Sequence, residues 1–222
     1  MTARRSDLGS VGRLALIIAA FGGLLLWLRV SQYALGRAIF CDWTSDCSAI
    51  LWANAPFHFA ILGMAMPLIP ISLALHRQRV GPRLLRAATL VTGAVGSLLA
   101  VVAVLAAYDR LWASYVGPFG LDVPPRTPLL PAPIGITSWA AWPTMAGAWV
   151  ALTSAQLVRA GLPAVIAMIG LVAGGALVVS APYVTERFVV EGLMPLELIL
   201  SVAWATAVGV YLTTVRNVPV AA

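Results

Sequence analysis

The sequence predicts an all-α, polytopic membrane bundle of six helices, one transmembrane domain spanning residues 1–222, and three observations carry that expectation. Hydrophobic residues make up 61% of the chain and charged residues only 10%, whereas soluble domains run near about 45–50% and about 25%. The apolar residues gather into six long runs, at 12–30, 50–75, 84–107, 137–158, 162–183 and 193–214. Each approaches the roughly 20 residues that a helix needs to cross the hydrocarbon layer. The charges then sort by side. With the N-terminus inside, Arg4, Arg5, Arg13, Arg77, Arg79, Arg83, Arg86, Arg159 and Arg216 face the cytoplasm against Asp7 alone. The opposite side receives Arg29, Arg37, Arg110, Arg126 and Arg187 against Asp42, Asp46, Asp109, Asp122, Glu186, Glu191 and Glu197. That distribution obeys the positive-inside rule and puts both termini in the cytoplasm of a multi-pass plasma-membrane protein.

The same sorting excludes a nucleic-acid partner, which the net charge of +6 would otherwise invite. A closed β-barrel is excluded too, because the runs far exceed a barrel strand and do not alternate.

Taken in order, the opening "MTARRSDLGSVGRLALIIAAFGGLLLWLRV" has the basic head of a signal peptide, but its apolar run is too long for a cleaved one. It reads as an uncleaved first helix. An outer segment, 31–49, holds both cysteines. The second helix follows, and "HRQRVGPR" returns the chain to the third. The outer segment 108–136 has six prolines between 118 and 133, so it cannot donate regularly to a sheet or helix. "RAGLP" joins helices four and five, with Gly161 stopping one and Pro163 opening the next. Gly170 and Gly174 in "GLVAGG" stand four apart, the spacing that lets helix backbones approach closely. Trp43, Trp52, Trp112, Trp139 and Trp142 fall near the outer boundary, where an amphipathic ring is favoured.

Few residues offer chemistry. Cys41 and Cys47 are the only cysteines, on the side where thiols are oxidised. Their separation suits a disulfide that clips the loop, with thiol catalysis and free or metal-bound thiols as the alternatives. His58 lies inside the second helix, and an ionisable group there is a functional suspect that could ligate copper or zinc. With Asp42, Asp46, Asp109, Glu191 and Glu197 it forms a candidate metal or proton site at the outer face, against the alternative of salt bridges to Arg110 and Arg187. Glu197 falls within an apolar run, where a lone carboxylate is costly. Met64, Met66 and Met194 could serve Cu(I), although methionine in such a chain is usually packing. No phosphate loop, nucleophile elbow or Cys-x-x-Cys is present, and no repeat relates the halves.

Two resemblances give these residues a setting. "CDWTSDCSAIL" resembles the outer cysteine loop of the vitamin K epoxide reductase family, which implies thiol and quinone chemistry. That family also needs a second cysteine pair, and this chain has no third cysteine. Over most of its length the chain is similar to the A-type subunit of the copper-dependent membrane monooxygenases that oxidise methane, ammonia or short hydrocarbons. "GRAIFCDWTSD" keeps Gly36, Asp42, Trp43 and Asp46 of that family's first outer segment. "AAYDRLWASYVGPF" supplies Asp109, Trp112 and Tyr115, and "VVEG" supplies Glu191 and Gly192 ahead of a helix ending near Tyr211 and Arg216. The chain departs from the family at Gly36-Arg37-Ala38, and it lacks the first-helix histidine and the final helix. The resemblance implies an oxidoreductase complex with copper held mostly by partner membrane subunits, and this chain chiefly as scaffold.

Reporter fusions test the topology. Fusions at residues 80 and 222 are expected to report the cytoplasm and one at 125 the opposite side; a cytoplasmic signal at 125 overturns the map.

Overall fold

The computed structural model describes residues 3–34, 48–113, 129–180 and 194–214. All regular structure among them is helical: α1 (Ala3–Ala34), α2 (Ser48–Ala65), α3 (Leu68–Arg77), α4 (Arg83–Ala113), α5 (Ala132–Arg159), α6 (Ala164–Ser180) and α7 (Met194–Thr214). Among the described residues, four stretches are long and apolar enough to cross a bilayer, namely Leu8–Leu28, Pro56–Arg77, Arg83–Asp109 and Leu196–Thr214. α6 is apolar throughout but runs for only 17 residues. α5 is long enough, but Thr, Ser, Gln and Pro dilute its apolar residues. Large apolar side chains point outward around the bundle, among them Trp27, Phe59, Leu98, Val165 and Val179. That surface suits hydrocarbon and not water.

The helices pack in the order of the chain. α1 meets α2 and α3, these meet α4, and then α4 packs on α5, α5 on α6 and α6 on α7. α7 returns to α1 and closes the ring. Small residues make two of the seams. A Cβ placed on Gly147 of α5 would stand 2.6 Å from the Gly174 carbonyl oxygen of α6, and one on Gly174 would stand 2.5 Å from the Gly147 oxygen. Gly12 of α1 and Gly209 of α7 face each other in the same way, at 3.1 and 3.0 Å. Backbones can approach so closely only where no side chain intervenes.

The second apolar run departs from the single helix expected over 50–75. Pro67 and Pro70 have no N–H to give to the carbonyls one turn back, and the helix breaks at Met66–Pro67 into α2 and α3. α4 compensates, because Ser97 Oγ shares its proton between the Ala65 carbonyl at 2.7 Å and its own Gly93 carbonyl at 2.9 Å. The boundaries of α5 and α4 also differ from expectation. α5 starts at Ala132, ahead of the expected 137, because Pro131 and Pro133 occupy positions where a missing N–H leaves no bond unmade. α4 continues to Ala113, past the expected 107. The α5–α6 turn is as expected, with Gly161 at φ 94° and Pro163 leading into α6.

One buried hydrogen bond ties three elements together. Trp149 Nε1 on α5 donates to Ser72 Oγ on α3 at 2.7 Å, and Ser72 Oγ in turn donates to the Leu68 carbonyl at 2.7 Å. The pair lies over Gly93 of α4, where a Cβ would fall 2.8 Å from Ser72 Oγ and 2.9 Å from Trp149 Nε1. Gly93→Ala is therefore expected to destabilise the bundle by about 1–3 kcal/mol, seen as a lower thermal midpoint in detergent. Gly175→Ala, at a position with nothing within 4 Å, should leave that midpoint unchanged. Equal effects from the two would refute the packing argument.

Candidate functional site: a tryptophan-walled cavity

Two apolar clusters fill the interior. One gathers Val11, Ile18, Leu75, Trp149, Leu157 and Trp204; the other is built on Leu25, Ala60, Ile61, Ala100 and Val104, with Phe57, Tyr108, Trp139 and Trp142 packed against it. Side chains of both surround a cavity of about 90 Å³. α5 contributes Trp139, Trp142, Ala146 and Trp149, which recur at helical spacing and so share a face. Phe57, Ile61 and Met64 of α2 and Ile18 and Leu25 of α1 complete much of the apolar wall.

α7 brings the polar groups. Glu197, Ser201 and Trp204 stand at i, i+4 and i+7, one stripe of the helix. All three are buried, at 7%, 5% and 2% exposure. Ser180 of α6 has its hydroxyl near Glu197, donates to the Leu177 carbonyl at 3.2 Å and also lines the cavity. Ser201 Oγ is buried without a partner. The result is an apolar chamber with one polar corner formed by Glu197, Ser180 and Ser201. Trp204 closes the chamber on the far side, edge-on to Trp149 with ring centroids 6.0 Å apart at 89°. Its Nε1 is buried without a partner and faces the notch at Gly170, where a Cβ would collide with both the indole and Ser154 Oγ. Buried donors and acceptors left unpaired are uncommon in folded proteins and call for an explanation.

His58 stands against the aromatic wall of this chamber. Its ring centroid lies 5.0 Å from that of Tyr108, 6.0 Å from Trp139 and 6.2 Å from Phe57. The side chain is buried and its Nδ1 has no hydrogen-bond partner. Asp109 follows Tyr108 directly, so two of the residues singled out in the sequence come to one end of the bundle. Asp109 accepts the Leu130 N–H at 2.8 Å, which ties the end of α4 to the approach to α5. Glu197 belongs to the cavity itself. Met64 lines it, whereas Met66 is exposed at the helix break. Cys41, Cys47, Asp42, Asp46 and Glu191 lie outside the described residues. Among the described residues no three His, Cys, Asp or Glu side chains come together in a way that could hold a metal ion.

Sequence reasoning missed Ser180, Ser201, Trp149 and Trp204. The signal for two of them was available, since Ser201 and Trp204 continue the helical stripe that begins at Glu197. Comparisons of the chain with protein-family models, with characterised proteins and with solved structures find no match.

His58→Phe separates a packing role from a chemical one. Replacing a buried polar atom that lacks a partner with an apolar ring of similar shape is neutral or stabilising. The thermal midpoint is expected to hold or rise, and a clear fall would show that the imidazole makes a bond that the fold needs.

Proposed function

We propose that the chain is a membrane-embedded subunit of a copper-dependent monooxygenase-type complex, chiefly a scaffold, that shelters a small apolar molecule inside its bundle. The observation that carries this reading is the cavity of about 90 Å³ with its almost wholly apolar wall. A dry apolar cavity of about 150 Å³ takes up benzene or xenon, so the smaller chamber suits a molecule of a few non-hydrogen atoms, such as a short hydrocarbon.

In this reading the chain crosses the plasma membrane six times, with both termini cytoplasmic. Cys41 and Cys47 form a disulfide in the outer loop that clips it without turning over. Copper is held mainly by partner subunits, and His58, whose Nδ1 is unengaged, is this chain's nearest candidate to take part.

Two measurements test the proposal. Extraction in mild detergent should bring along at least two other membrane proteins and copper; a lone, metal-free chain would defeat the assembly reading. Xenon NMR on the purified chain should detect an interior site that Ala146→Leu abolishes by filling the cavity. Xenon binding unchanged in that variant would place the bound atom elsewhere and rule the chamber out as its site.

A further inference from the structure

The cavity is apolar, but it is not featureless. Four tryptophans line it, Trp139, Trp142, Trp149 and Trp204, together with a single acidic side chain, Glu197. Among the described residues no arginine lines it, and the chain has no lysine. Tryptophan is the best side chain for attracting a cation to its ring, and aromatic cages of this composition are how quaternary and methylated ammonium groups are recognised. The N–H of Trp149 is engaged by Ser72, so that indole offers the chamber its ring system and not its donor. A carboxylate in such surroundings is costly unless a counter-charge reaches it. Glu197 has a hydroxyl neighbour in Ser180, which softens that cost but supplies no charge. One turn along α7, the buried Ser201 keeps its Oγ without a partner beside the same corner.

We propose that the cavity is a recognition site for a small organic ammonium ion, its charge set against Glu197 and its alkyl groups caged by the tryptophan rings. The inference rests on the reading of the chamber as a binding site and goes beyond it in the guest, which is a small cation in place of a neutral apolar molecule. Volume sets the scale: about 90 Å³ suits a group of the size of tetramethylammonium or a short alkylammonium. Glu197 supplies the charge that distinguishes such an ion from a hydrocarbon of the same shape. Ser201 gives a hydroxyl that can serve an N–H or O–H on the guest. The tryptophans provide attraction that tolerates rotation of a near-spherical ion.

The test compares charge at constant shape. The purified chain in lipid nanodiscs is titrated with tetramethylammonium and with tert-butanol, its uncharged near-isostere, by calorimetry and tryptophan emission. The cation is expected to bind at least about ten-fold more tightly, the scale of a desolvated cation–π contact together with a charge pair. Glu197→Gln should reduce cation affinity to about that of the neutral compound while leaving xenon uptake in place. Equal affinity for the two compounds, or cation binding unchanged in Glu197→Gln, overturns the inference. Because the first comparison uses the unmodified protein, it decides the matter even if the variant fails to fold. Xenon uptake without a preference for the cation ends this inference and keeps the apolar chamber, whereas loss of both ends both.

Discussion

A buried indole N–H is costly to leave unpaired, and Trp149, unlike its neighbour Trp204, meets that cost by donating to Ser72. Much follows from it. The acceptor sits on α3, just beyond the helix break, so the bond holds the displaced half of that pass against α5. It runs over α4 at a position where only glycine leaves room, so three elements are fixed by one contact. It also sets the plane of Trp149, against which Trp204 packs edge-on. The far wall of the chamber is placed by this bond before any guest arrives.

The chamber itself results from two packing regimes meeting. At the Gly147–Gly174 and Gly12–Gly209 crossings, backbones nearly touch, and α5, α6, α7 and α1 are drawn together. Between α5 and α7 the residues are the bulkiest available, and indoles held at right angles do not fill space as interleaved aliphatic chains do. A bundle pinned tightly at its seams and propped open by aromatic rings keeps a void between them.

How much of this could be read in the chain differs by level. The apolar runs disclosed the helices because a bilayer leaves the backbone few alternatives to helix. The glycine pair of α6 and the Gly161–Pro163 turn were legible because each has a steric meaning that does not depend on neighbours. The break at Met66–Pro67 was not, since membrane helices often carry proline without breaking; here the outcome depended on Ser97, a residue on another helix. Glu197 was conspicuous as a charge among aliphatics. Ser201 and Trp204 were legible only as the continuation of its helical stripe, because a serine or tryptophan within a membrane helix taken singly ordinarily means packing. His58 was visible as an ionisable group, but its aromatic surroundings come from α4 and α5, which no local pattern reports.

Packing the helices in chain order has a consequence for biogenesis. A segment leaving the insertion machinery can dock at once on the one before it, so most of the wall forms as synthesis proceeds. α7 differs, because it must meet both its predecessor and the first helix, which has been waiting in the membrane since synthesis began. Glu197, Ser201 and Trp204 all stand on that closing segment, so the polar corner of the cavity is present only when α7 is in place.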